Sequence, residues 1–210
     1  MIARPPRPEA LPALQNVSRE TIERLEVYAE LLIKWQKAIN LIGPATAAVL
    51  WSRHIADSAQ IVAMAPETAR IWVDLGSGAG LPGLVAAILL TGRANAQVHL
   101  FESDQRKAAF LREAVRVTGA PATVHDARVE STAPFAADVV TARAFAPLDR
   151  LLEYAAPFWG EHTLGLFHKG RNVRDELDAA GKRWRFTYHL AASQTDSSGS
   201  ILTLRSLSRV

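Results

Sequence analysis

Trp72-Val73-Asp74-Leu75-Gly76-Ser77-Gly78-Ala79-Gly80-Leu81-Pro82-Gly83 is the stretch around which this 210-residue chain is organised. A short apolar run ends in an acid. Glycine follows at every second position, and a proline precedes a second apolar run. Alternating glycines let the backbone turn tightly and approach a ligand that any Cβ would push away. Pro82 suits a first helical turn, where its missing N–H costs nothing. Leu84, Val85, Ile88 and Leu89 give that helix a buried face. Strand, glycine loop and helix make the opening unit of a nucleotide-type site, at the C-terminal end of a parallel strand.

The loop satisfies two patterns. Gly78-x-Gly80-x-x-Gly83 fits a dinucleotide site, which would make the chain a nicotinamide-dependent oxidoreductase. Asp74-x-Gly76-x-Gly78-x-Gly80 fits the loop of methyltransferases that bind S-adenosylmethionine. The ligands differ where they meet the backbone. A dinucleotide brings a pyrophosphate, which wants bare N–H groups and a helix N-terminus. S-adenosylmethionine brings an ammonium at its amino-acid end, which an acid just before the loop suits; Asp74 is that acid. A solvated strand-end carboxylate beside a loop kept only for turning is the plain alternative.

Hydrophobic residues make up 49% of the chain, enough for a sizeable core. The length predicts one domain with room for a terminal extension. A net charge of +3 permits a nucleic-acid partner without requiring one. No cysteine is present, which excludes disulfides and cysteine metal sites. The cytoplasm is the simplest compartment. Residues 1–14 are rich in proline and arginine and lack the apolar core of a signal peptide. The longest apolar run, 84–90, is far too short to cross a bilayer, so no membrane partner is expected.

Pro5, Pro6, Pro8 and Pro12 mark residues 1–17 as a loose, flexible arm. Ser18 is placed to cap a helix. Ile22, Leu25, Tyr28, Leu32, Trp35 and Ile39 recur at helical spacing and predict a helix over 19–39. Gly43-Pro44 stops it. A second helix is expected over 46–64, with Val49, Ile55, Ala59 and Val62 inward and positions 54, 57 and 58 on one face. Residues 18–65 thus read as a helical extension, and 66–210 as one compact domain. From 69 on, β-prone runs alternate with helical patterns, as in βαβ units. Strands are expected over 71–75, 97–102, 122–125, 138–142 and 163–168, with helices over 82–90, 104–119, 147–156 and 173–180. Strands 185–191 and 201–207, joined by the turn Asp196-Ser197-Ser198-Gly199, close the chain as a hairpin. The fold class is α/β: a Rossmann-like, mostly parallel seven-stranded sheet with an antiparallel last strand. Dinucleotide domains repeat βαβ through their second half; this chain does not, which favours the methyltransferase.

Candidate site residues follow the strand ends. Glu102 ends the second strand, where an acid accepts hydrogen bonds from ribose hydroxyls. His125 to Glu130 follow the third strand, on the adenine side of the crevice. Arg143 follows the fourth strand in an apolar surround, and a buried arginine demands a carboxylate or a ligand. His54 with Asp57 suggests acid–base work or a metal, but the other five histidines are scattered and no ligand spacing occurs. No serine-hydrolase elbow and no Walker loop is present.

These stretches together resemble the small-subunit ribosomal RNA methyltransferase G (RsmG/GidB) family. The resemblance runs from about residue 40 to 170. It lies in Asn40-Leu41, Arg53-His54-x-x-Asp57-Ser58, the glycine stretch, Glu102-Ser103-x-x-x-Arg106-Lys107-x-x-Phe110-Leu111, Arg128-Val129-Glu130, Arg143-Ala144-Phe145-Ala146 and Lys169-Gly170. It implies a class I S-adenosylmethionine-dependent methyltransferase fold with a helical N-terminal extension. It also implies methyl transfer to N7 of one guanine in 16S rRNA. By matching positions, Gly76, Leu81, Val129, Glu130 and Arg143 are implied cofactor contacts, beside Asp74, Gly78 and Glu102 from the residues themselves. Ile42 stands where many relatives have threonine, and His168 where an aliphatic residue often precedes the lysine. The first 17 and last forty residues carry little family signal.

The chemistry agrees with the residues. Guanine N7 has a free lone pair, so its methylation requires no base. Positioning can supply much of the barrier reduction. Asn40, Arg53, His54, Ser58 and Lys169 are expected to ring the mouth and hold the guanine or its phosphates. Arg106, Lys107, Arg112 and Arg116 widen a basic surface for RNA, or form a solvated helix face. The expected partner is 16S rRNA or the 30S subunit, met by a monomer. The rivals are a methyltransferase acting on a small molecule, the oxidoreductase, and a non-catalytic RNA-binding module.

Overall fold

The computed structural model describes residues 11–210. Most of the arm expected over 1–17 lies outside the described residues. Its described end is not loose: Pro12–Leu14 forms one 3-10 turn, and Leu14 is buried in the main core.

The first helix, α1 (Arg19–Gln36), is capped by Ser18, whose hydroxyl accepts the Thr21 N–H. It stops short of the expected residue 39. The Gln36 amide turns the chain back by accepting the N–H groups of Leu41 and Ile42 and donating to the Ile42 carbonyl.

The single regular helix expected over 46–64 is not what forms. Pro44–Val49 is a 3-10 turn, Trp51–Ala56 is wound as a π-helix, Asp57–Ala59 (α2) is one α-turn, and Val62–Met64 is 3-10 again. Changing pitch shifts the angle between successive side chains. Val49, expected inward, is therefore exposed, and Val62 is only half-buried.

The sheet contains seven strands in the order β3-β2-β1-β4-β5-β7-β6. These are β1 (Ile71–Leu75), β2 (Gln97–Phe101), β3 (Ala122–His125), β4 (Ala137–Arg143), β5 (Trp159–Lys169), β6 (Trp184–Ala192) and β7 (Ser200–Arg209). The first five pair in parallel. β7 is antiparallel to both β5 and β6, so it alone runs against the sheet. β5 starts four residues before the expected 163, because Trp159 reaches Ala137 across a register shift.

Strand side chains alternate between two cores. Trp72, Val98, Leu100, Val139 and Leu166 face one core with α1, α3 (Gly83–Leu89) and α4 (Gln105–Thr118). Val73, Leu75, Phe101, Val140 and Phe167 face the other with α5 (Leu148–Ala155) and α6 (Val173–Ala180). The expected extension and domain share the first core, and α1 packs on both α3 and α4. Among the described residues no helix is long and apolar enough to cross a membrane.

Candidate functional site

Strand order reverses between β1 and β4, so their C-terminal ends open a crevice. The glycine loop leaves β1 into it, with φ of +67° at Gly76, +54° at Gly78 and +85° at Gly80. The loop is pinned from three sides. Ser77 donates its N–H to Phe101 O at 2.9 Å, Gly78 donates its N–H to Glu102 Oε2 at 2.8 Å, and the buried Tyr28 hydroxyl donates to Ala79 O at 2.7 Å. The glycines serve different ends. A Cβ on Gly76 would strike the Phe145 ring, and one on Gly83 would strike Asp74, whereas one on Gly78 would meet nothing within 3.4 Å.

Two cavities adjoin in the crevice. The first, about 520 Å³, is lined by the glycine loop, Leu81, Glu102, His54, Arg128 to Glu130 and Lys107. The second, about 420 Å³, is lined by Arg53, Asp57, His168, Lys169, Glu176 and Asp196. Arg143, Ala144 and Phe145 line both and form the partition. Ala144 holds a φ of +50°, a left-handed backbone at a non-glycine residue.

The partition is wired to its surroundings through Arg143. Its Nη2 donates to His54 Nδ1 at 3.0 Å and to Arg53 O at 3.1 Å, and its Nε lies 3.5 Å from Asp57 Oδ2. Burial, first of all, pulls the Arg143 pKa down, and Asp57 opposes it. Asp57 Oδ1 accepts from Gln60 Nε2, Ser193 Oγ and Thr195 Oγ1 at 2.8, 3.0 and 2.6 Å. This latches the β6–β7 loop to the residues around α2. In the second cavity Arg53 pairs with Asp196 at 2.5 Å, and Lys169 Nζ with Glu176 Oε2 at 2.6 Å.

The sequence pattern of the family described as rRNA small subunit methyltransferase G matches residues 21–201. The chain belongs to that family. Among its relatives, ribosomal RNA small subunit methyltransferase G of Parvibaculum lavamentivorans is 56% identical over 201 residues, covering 95% of this chain and 89% of the relative. That of Paramagnetospirillum magneticum is 54% identical over 202 residues, covering 96% and 97%. Family signal therefore reaches both ends beyond the 40–170 stretch read from sequence. Solved structures share the fold at low identity. A putative O-methyltransferase from Klebsiella pneumoniae superposes with a TM-score of 0.58 at 15% identity, covering 92% of this chain and 93% of that one. A mutant of MtNAS in complex with S-adenosylmethionine gives 0.57 at 16%, covering 88% and 76%. The fold is that of class I methyltransferases, and membership of the methyltransferase G family removes the oxidoreductase reading.

Most sequence-predicted cofactor residues of this family member meet in one place. Gly76, Gly78, Leu81, Glu102, Val129, Glu130 and Arg143 all line the first cavity. Asp74 does not. It is buried behind the loop against Gly83, accepting from the Thr141 hydroxyl at 2.7 Å, and burial pushes its pKa up to about 6. Its Oδ2 is buried with no protein partner, and the carboxylate lies off the lining of the first cavity.

The substrate-side group divides. Arg53 and Lys169 line the second cavity. His54 lines the first and is bound to Arg143. Ser58 is fully buried and lines neither cavity, because the π-turn before it rotates it off the His54 face. Asn40 is exposed, and it too lines neither cavity. Of the α4 cations only Lys107 reaches the first cavity, while Arg112 pairs with Asp126 at 3.3 Å. Tyr28, Gln60, Glu176 and the 193–196 loop were invisible as site residues, since each lies far in sequence from what it holds. Phe145 was legible only as part of the Arg143-Ala144-Phe145-Ala146 match.

Proposed function

We propose that the chain transfers a methyl group from S-adenosylmethionine to N7 of one guanine in 16S rRNA. Family membership carries the coarser half, methylation of small-subunit rRNA. The finer half is supported by one observation: two cavities share the Arg143-Ala144-Phe145 wall, so donor and acceptor sites adjoin. The first cavity suits the cofactor. Gly78 leaves its side open, the Glu102 carboxylate stands at its edge, and Arg143 Nη1 is buried with no protein partner. When bound, S-adenosylmethionine supplies an electrophilic methyl on a sulfonium.

The chain's own work is positioning. Guanine N7 offers a free lone pair, so no residue has to remove a proton. His168 donates Nε2–H to Asp57 O at 2.8 Å, and burial holds its pKa down, so the ring is neutral with its lone pair on the buried Nδ1. Lys169, fixed by Ala146 O and Glu176, and Arg53, fixed by Asp196, present cations to the purine or its phosphates. The target base has to leave its stack to enter the second cavity.

Purified protein incubated with labelled S-adenosylmethionine and 30S particles, with the label then mapped, tests this. Label at one guanine N7 of 16S rRNA is expected. The second cavity is also the size of a small-molecule site, and label confined to small metabolites would transfer the reading there. Lys169→Ala is expected to keep cofactor affinity and to slow methylation of 30S by about tenfold or more.

A further inference from the structure

Elementary chemistry assigns the proton on a buried ring beside the partition. Arg143 Nη2 lies 3.0 Å from His54 Nδ1. A guanidinium only donates, so Nδ1 carries the lone pair and the single ring proton sits on Nε2. That proton points to Thr46 Oγ1, 2.7 Å away. The Thr46 hydroxyl gives its own proton to Gly43 O at 2.8 Å, leaving a lone pair for the ring. Donors therefore run one way, from Arg143 through His54 and Thr46 to the Gly43 carbonyl. Burial and the Arg143 and Arg53 guanidiniums keep the ring neutral, pushing its pKa down to about 4 against the pull of Asp57.

The chain of donors leaves His54 without a free atom for substrate. Both ring nitrogens are committed, one to Arg143 and one to Thr46. What it does is hold Arg143. Asp57 grips Nε, while His54 and Arg53 O grip Nη2. Nη1 alone is buried and unpartnered. Such an orphan is costly unless a ligand meets it, and a guanidinium edge is shaped for a carboxylate.

We infer that His54 is a positioning residue: kept in its Nε2–H form by Thr46, it fixes the Arg143 guanidinium so that Nη1 meets the carboxylate of S-adenosylmethionine. This rests on reading the first cavity as the cofactor site. It moves His54 from the substrate mouth, where sequence placed it, to the support of a cofactor contact.

Calorimetry on the full chain tests it with two ligands. 5′-Methylthioadenosine has the nucleoside of S-adenosylmethionine and lacks its amino-acid end. Wild-type protein that fails to bind S-adenosylmethionine overturns the cofactor reading and this inference with it. Given binding, His54→Leu is expected to weaken S-adenosylmethionine by about tenfold or more while methylthioadenosine stays within about twofold. His54→Asn, whose Oδ1 can stand where Nδ1 stood, recovers most of the loss. Equal loss of both ligands, loss of neither, or an Asn variant no better than Leu overturns the inference. Should His54→Leu fail to melt as a folded protein, Thr46→Val carries the comparison. The ring remains and only the acceptor of its proton goes. S-adenosylmethionine then weakens by about threefold with methylthioadenosine unchanged; unchanged affinity for both is the contrary result.

Discussion

At Gly78 the backbone has a φ of +54°, and an added Cβ would find the Gly76 carbonyl, 3.8 Å away, as its nearest neighbour; at Gly83 the same atom would run into the Cβ and carboxylate of Asp74. The two substitutions therefore separate binding from folding. Gly78→Ala strains one left-handed residue, a loss of about 1 kcal/mol, and places a methyl in the ligand space. Gly83→Ala forces apart α3 and β1, and overpacking of that kind costs about 3 kcal/mol. Thermal melts of the ligand-free variants, followed by titration with S-adenosylmethionine, should find Gly78→Ala folded and impaired in binding. Gly83→Ala should melt several degrees lower. Sequence showed the glycine spacing but not this division, because what an added Cβ would meet depends on where Phe145 and Asp74 are packed, and Phe145 is sixty-nine positions away from Gly76.

The element that carries the site is the irregular run from residue 44 to 64, together with the loop between β6 and β7. Winding Trp51–Ala56 as a π-helix brings the Arg53 carbonyl to Arg143, from which it accepts. It also aims His54 at the first cavity and Asp57 at the second. Asp57 then gathers donors from Gln60, Ser193, Thr195 and Arg143. Removing a carboxylate from such a buried pair strands the arginine, at a cost of about 3–5 kcal/mol. Asp57→Ala is expected to lower the melting temperature by about 6 °C or more in differential scanning calorimetry, at about 2–4 °C per kcal/mol for a chain of this size. A melting temperature within a degree of wild type would show the latch to be idle. Periodicity gave this run as one α-helix because its apolar residues fit a 3.6-residue repeat. The change of pitch is imposed by partners that periodicity does not contain.

Across the whole molecule, buried titratable groups set an acid limit. His54 is pushed down to about 4, and His168 is lowered too, first by burial in each case. A histidine with a depressed folded pKa contributes stability that is present above about 6.5 and lost as pH falls through its folded value. Asp74 acts in the opposite sense. Its carboxyl is raised to about 6, so its contribution is present below 3.8 and lost as pH rises through 6. His99 and His125 are lowered by burial as well, so the histidines outweigh the one acid and leave a net loss on acidification. Urea midpoints should therefore be lower at pH 5 than at pH 7.5. Asp74→Asn removes the opposing gain and should widen that difference; an unchanged difference would mean Asp74 titrates near its ordinary value.

By itself the sequence determined what local spacing determines. The glycine loop after an apolar strand, the βαβ alternation and the closing hairpin fixed a mostly parallel sheet with one reversed strand, and the loop residues fixed most of the first cavity. It determined the capping role of Ser18 as well, since a cap acts within three residues. Tertiary structure alone decided which candidates line the two cavities. Asp74 turned inward to Gly83, Ser58 sank out of reach, His54 was bound to Arg143, and Glu176 came up to Lys169. The physical reason is that these roles are set by hydrogen bonds between elements far apart in the chain, and a buried polar group takes whichever partner packing brings to it.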